Sequence, residues 1–472
     1  MRIQQKKTIV GIIILLIATV SALSYSKIPA QSPVKDATPS DSSLLMITGE
    51  LSREKIAQHG DGTVSLALNL STAEQTVPAP IDERSGINFI VVIDRSGSME
   101  GDKIKHAKNA IKEITSSLLP IDKLGLVSYS DAVRTDFPLA PLTPSNRKTL
   151  QQSLDAVFAG GGTNLGAGLY QSLELTDHKS DSNQTKIILI SDGMANQGIT
   201  DPQSLAQLAH KAVSLEASLS TVGVGLDFNE YLMTTIADHG GGSYHFLENP
   251  EAFGATFKRE LLHTTTASVA GIEVFIPEMK DIALIDASGY PLEKVQGGFI
   301  VRPGNIMPGN SRKLFLTFKA PTSTPGDYQI QGVKVRYTHL GTSHVASLED
   351  NFQLSCVKNE EAATASINKG VWREKVMQDD LNKLRGQVAQ EVKEGKREAA
   401  LKHLEEYKIQ NESVNRTVSE QVATEAEEEI ASLTEQVNET FEGSSTEISR
   451  KQKKVSKTLQ YQGYEGRRNL KR

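Results

Sequence analysis

Residues 87–100 read INFIVVIDRSGSME, a run from Ile87 to Glu100. Apolar side chains fill every position from Ile87 to Ile93 except Asn88, and the run stops at Asp94. An apolar stretch this continuous, closed by a polar turn, predicts a central strand covered on both faces, as in α/β sheets. The loop at the carboxyl end of such a strand opens into the crevice where these sheets hold ligands. Asp94, Ser96 and Ser98 alternate along that loop with Gly97 between the serines. One carboxylate and two hydroxyls suit a hard cation such as Mg2+. The same residues also cap and turn a chain for local hydrogen-bonding reasons, so this stretch alone leaves both readings open.

Downstream, helical and strand periods alternate as far as Leu262. Helices are predicted over 103–118, 146–158, 166–175, 202–217, 229–239 and 250–262, and strands over 123–129, 186–190, 219–224 and 241–246. That order implies a doubly wound, mostly parallel α/β sheet with helices on both faces. If the strands are parallel, the one ending in SDG delivers Asp192 to the same rim as Asp94, and the loop GGGTN brings Thr163. Two carboxylates and three hydroxyls then surround one point.

These residues resemble the metal-ion-dependent adhesion site of von Willebrand factor type A (VWA) domains. Asp94-x-Ser96-x-Ser98, Thr163 and Asp192 fill all five positions of that family's pattern. The resemblance covers about Ile87 to Leu262. It is similar to bacterial exported members and to the heavy chains of inter-alpha-trypsin inhibitor, whose domain also continues into a helix with K-x-x-x-A-K, here Lys103 to Lys108. It implies a Rossmann-like domain with Mg2+ (or Mn2+ or Ca2+) at those five residues. It also implies recognition of a protein ligand that offers an Asp or Glu carboxylate to the metal, and it implies no reaction.

The whole chain has 472 residues, too many for one core. Seven segments are expected: a signal or transmembrane segment over 1–25, a flexible linker over 26–43, and strands over 44–86 that complete a later sandwich. The VWA-like domain over 87–262 follows, then a small all-β sandwich over 263–358, a helical region over 360–442, and a basic, partly disordered tail over 443–472. Arg2, Lys6 and Lys7 before the apolar run Thr8–Tyr25 form an export signal. Uncleaved, it anchors the chain in the cell membrane as a single-pass protein, with its N-terminus inside and its domains outside. Cleaved near Ser24, it releases a secreted or periplasmic protein.

A net charge of -6 and the lack of a basic patch interleaved with aromatics argue against nucleic acid, and the single cysteine, Cys356, excludes an internal disulfide. Gly160–Gly162 lacks the Lys-Ser/Thr of a phosphate loop, and Ser96 lacks a nucleophile elbow. His239 and His245 read as loop and core-edge residues, Asp122, Asp131 and Asp136 as caps and turns, and Asp227 as a turn residue. The leading functional reading is metal-dependent protein recognition or adhesion outside the cytoplasmic membrane. The alternative is a structural or assembly subunit of an envelope complex, in which the metal serves stability. A metal-assisted hydrolase ranks below both, because no base or second ion accompanies Asp94.

Overall fold

The computed structural model describes residues 38–39, 44–73, 86–176, 183–266, 269–339 and 342–469. In chain order, β1 (Leu45–Leu51), β2 (Lys55–Ala57) and β3 (Thr63–Thr72) precede the α/β domain. That domain begins with β4 (Ile87–Asp94), α1 (Asp102–Ser117), β5 (Lys123–Tyr129), β6 (Val133–Pro141), α2 (Pro144–Asp155), α3 (Leu165–Glu174) and β7 (Gln184–Ser191). It closes with α4 (Pro202–Ser214), β8 (Ala217–Val224), α5 (Glu230–His239), β9 (Gly241–Leu247) and α6 (Phe253–Thr266).

The strand order is β9-β8-β7-β4-β5-β6. All pairings are parallel except that of β5 with the edge strand β6. Every residue of β4 is buried. Because side chains alternate along a strand, Phe89, Val91 and Ile93 enter the core built with α1, α2 and α6. Ile90 and Val92 enter the opposite core, with α3, α4 and α5. The continuous apolar run thus follows from two covered faces. The strand β6 has no counterpart in the sequence reading, which took Asp136 for a cap or turn residue. Only Phe137 of this strand is buried, and Pro138 and Pro141 are exposed; an edge strand needs no apolar period and tolerates proline.

Beyond α6, β10 (Ala270–Pro277), β11 (Ala283–Ala287), β12 (Glu293–Val295), β13 (Gly298–Val301), β14 (Ser311–Lys319), β15 (Gly326–Ile330), β16 (Lys334–His339), β17 (Thr342–Ser347) and β18 (Phe352–Val357) form the β region. Here β3 lies between β1 and β14, antiparallel to both, in the order β11-β14-β3-β1. Likewise β2 pairs with β18. Strands from before and after the α/β domain therefore share one core, which includes Leu66, Leu68, Leu314 and Leu316.

The helices α7 (Glu360–Ala365) and α8 (Lys369–Glu374), a π-helical turn (Lys375–Asp380), α9 (Leu381–Lys393), α10 (Arg397–Val418), α11 (Glu420–Thr440) and α12 (Ser445–Arg467) follow. From Trp372 to Leu459 they enclose a core of their own.

Two expectations are corrected by the structure. The tail over 443–472, expected to be basic and partly disordered, is helical over most of its described residues: α12 opens with a Ser444/Glu447 capping box and lies close along α9. A Cβ on Gly463 would stand 2.6 Å from Asn382 O, so glycine permits that approach. The cations of α12 meet anions of the other regions, in the pairs Lys457–Glu230 and Arg467–Asp379, and Arg468 just beyond the helix pairs with Asp238. The second correction concerns the single-pass membrane anchor and the localisation built on it. Among the described residues no helix is long and apolar enough to cross a membrane. The segment over 1–25 lies outside the described residues.

Candidate functional site at the carboxyl edge of the parallel sheet

The rim is built by three chain segments that the parallel pairing of β4 and β7 brings side by side. Asp94 ends β4, Asp192 follows the end of β7, and Thr163 precedes the first turn of α3. A backbone stitch fixes their spacing, since Gly97 N donates to Gly161 O at 3.0 Å and Gly160 N donates to Arg95 O at 2.8 Å. The glycine loop is held from below by Asp131, whose Oδ1 accepts from Gly162 N at 2.8 Å and from Gln197 Nε2 at 2.6 Å. Those two hydrogen bonds draw the Asp131 carboxyl below its ordinary value.

Both rim carboxylates are 0 % exposed. Asp94 Oδ1 accepts from Ser96 N at 2.7 Å, and its Oδ2 accepts from Ser191 Oγ at 2.8 Å. Burial pushes the Asp94 carboxyl upward, against the hydrogen bonds from Ser96 and Ser191, and neighbouring Asp192 adds to the rise. Ser96 Oγ lies 3.0 Å from Ser98 Oγ, which donates to Asp192 Oδ1 at 2.7 Å. The second oxygen of Asp192 is ion-paired with Lys103 Nζ, which also donates to Ser98 O at 3.2 Å. Thr163 is held through its backbone: its N–H donates to Asn196 Oδ1 at 2.9 Å and its carbonyl accepts from Asn196 N at 3.1 Å.

Asp94, Ser96, Ser98 and Asp192 thus form one connected network, with Thr163 beside it. Ser191 and Lys103 also belong to it, while Asn196 holds Thr163 and Asp131 and Gln197 hold the glycine loop; the sequence reading placed Lys103 only in a helix motif. Ser191 stands next to Asp192 in sequence, but nothing local marks Lys103, because the charge it meets comes from another strand. Asp227, read as a turn residue, pairs with Lys453 of α12 at 2.8 Å.

The expectation that a cation here grips a partner's carboxylate is corrected by this geometry. Both carboxylates turn inward and spend their oxygens on neighbours in the same chain. The described residues contain no group of three or more His, Cys, Asp or Glu that could hold a metal ion. The donor chemistry nevertheless fits a hard cation in a role internal to the fold. A Cβ on Gly193 would lie 3.3 Å from Ser98 Oγ and 3.8 Å from Thr163 Oγ1, so the bare glycine leaves a cradle bordered by two hydroxyls beside Asp192.

Residues 88–259 match the family model of the von Willebrand factor type A domain. The uncharacterized protein YfbK of Escherichia coli is 33 % identical over 172 residues, which is 35 % of this chain and 29 % of that protein. Inter-alpha-trypsin inhibitor heavy chain H4 of Bos taurus is 32 % identical over 162 residues, 33 % of this chain and 18 % of that one. The matched region therefore spans under a third of the length of either relative. A solved structure, von Willebrand factor type A from Catenulispora acidiphila, aligns with a TM-score of 0.67 at 16 % identity, covering 91 % of this chain and 99 % of that one. The protein contains a VWA domain related to bacterial VWA folds and distantly to inter-alpha-trypsin inhibitor heavy chains. The VWA fold is a non-catalytic protein-interaction fold, in which divalent cations can be held at an adhesion site.

Proposed function

We propose that this chain is an interaction subunit of a larger protein assembly. The VWA domain supplies contact surface, and a divalent cation at Asp94, Ser96, Ser98, Thr163 and Asp192 serves the stability of the rim. Mg2+ is the best fit to a site of carboxylate and hydroxyl oxygens, with Mn2+ and Ca2+ as alternatives. The observation that carries this reading is the inward orientation of both carboxylates, each 0 % exposed and bonded to its own chain. Such a rim ties the ends of β4 and β7 to the start of α1. A second support is the ion pairing of α12 with Asp227 and Glu230, which joins the helical region to the VWA domain.

A crosslinked pull-down from native cells, run cold with and without EDTA beside a thermal melt of the purified chain, tests the proposal. A cation present at about a hundredfold excess over its Kd stabilises by roughly 2.7 kcal/mol. For a domain of this size that is about 5–10 °C in Tm. The expected outcome is a Tm lowered by chelation with capture retained below the melt. Capture abolished by EDTA at unchanged Tm and unchanged circular dichroism would refute a stabilising role.

A further inference from the structure

We infer that Lys103 is a tethered monovalent cation of this rim, and that a divalent ion gains Asp192 only by displacing the Lys103 ammonium. The inference rests on the cation reading proposed above and adds a built-in competitor to it. Lys103 stands in the first turn of α1, close enough in sequence for its head to fold back onto Ser98 O at 3.2 Å while pairing with Asp192. Its side chain keeps 27 % exposure, whereas that of Asp192 has none, so the stem reaches from solvent to a buried charge. Gly225 borders that path, since a Cβ there would touch Lys103 Cε at 3.6 Å and Nζ at 3.7 Å, ordinary van der Waals contact.

The charge count gives the competition its sign. Asp94 and Asp192 carry two negative charges, which Lys103 reduces to one. A divalent ion entering with Lys103 in place leaves the rim net positive, with two like charges close together beside Asp192. The displaced ammonium has a destination: Asp227 lies on the same turn as Gly225, with its carboxylate 66 % exposed and already paired with Lys453. Occupancy of the rim and the docking of α12 thereby share one carboxylate.

The test titrates Mn2+ into the full chain by calorimetry and by water-proton relaxation, for wild type, Lys103→Met, Lys103→Arg and Asp94→Ala. Lys103→Met should bind Mn2+ at least about tenfold tighter than wild type, and Lys103→Arg, which keeps the charge, no tighter. In the unmodified chain, acetylation of Lys103 by acetic anhydride, read by mass spectrometry, should rise severalfold when Mg2+ saturates the rim. Equal Mn2+ affinity in wild type and Lys103→Met, with Lys103 acetylation indifferent to Mg2+, overturns the competitor and leaves the cation site standing. Titrations of all four chains that show no binding overturn the site, and the competitor with it.

Discussion

Lys186→Met should strongly destabilise the VWA domain. Lys186 lies near the start of β7, at the opposite end of that strand from the rim. Its Nζ meets Glu260 of α6 at 2.6 Å, with the two side chains only 7 % and 3 % exposed. Ser220 Oγ accepts from Lys186 Nζ at 2.7 Å and donates to Glu260 Oε2 at 2.8 Å, and His245 Nε2 closes on Glu260 Oε1 at 2.6 Å. Three strands and a helix thus share one buried carboxylate. Removing a single partner of a buried pair leaves the other uncompensated, at a cost of about 3–5 kcal/mol. At roughly 2–4 °C per kcal/mol for a domain of this size, Tm should fall by about 6–20 °C.

The pH profile supplies an independent check. Burial pushes the Glu260 carboxyl up, but Lys186 and His245 outweigh it and hold the group well below 4.5. A depressed folded pKa means that the stabilisation is fully present above the unfolded value and is lost as pH falls through the folded one. In wild type the loss therefore belongs to the strongly acid range below 4.5. In Lys186→Met burial is less opposed, and acid unfolding should begin at higher pH. Calorimetric melts and urea titrations between pH 3 and 8 read both effects, with an unchanged m-value showing that the unfolded state is comparable. A Tm within about 2 °C of wild type, or an acid limb that does not move, refutes the assignment of this cluster as the fastening of α6.

Other expectations follow from the same physics. Arg468 pairs with Asp238 at 2.8 Å, donates to Gly289 O at 2.9 Å and stacks 4.0 Å from the Tyr464 ring. Arg468→Met should cost about 3–5 kcal/mol and expose α12 to limited proteolysis, and a cleavage pattern identical to wild type would contradict the clasp. The Asp238 carboxyl is raised by burial, against Arg468, to about 6. Because the folded state then holds the proton more tightly, stability from this group falls as pH rises from about 4 to 6. Melts of Asp238→Asn should lack that limb of the profile, although Arg468 loses its partner at every pH. Gly193→Ala should fill the cradle beside Ser98 and Thr163, change stability in chelator by less than about 1 kcal/mol, and abolish the Tm gain given by Mg2+. A retained gain would place the ion elsewhere.

By itself, the sequence determined the parts whose cause is local. The run Ile87–Ile93 needs two covered faces, so it announced the central strand and with it the mostly parallel α/β sheet. Asp94, Ser96 and Ser98 sit in one loop, and Thr163 and Asp192 each close a recognisable turn, so the rim was legible once the strands were taken as parallel. Strand β6 was not legible, because an edge strand with prolines carries little period to read. The tertiary structure alone decided how the charges are spent. Lys103 is an ordinary helix residue until β7 places Asp192 against it, and Lys457 and Arg468 read as a solvated basic tail until Glu230 and Asp238 face them in the fold. Periodicity records which faces are dry, since burial acts on every residue of an element. An ion pair between residues far apart in sequence leaves no period at all, and only the packing shows that the rim's carboxylates are already engaged.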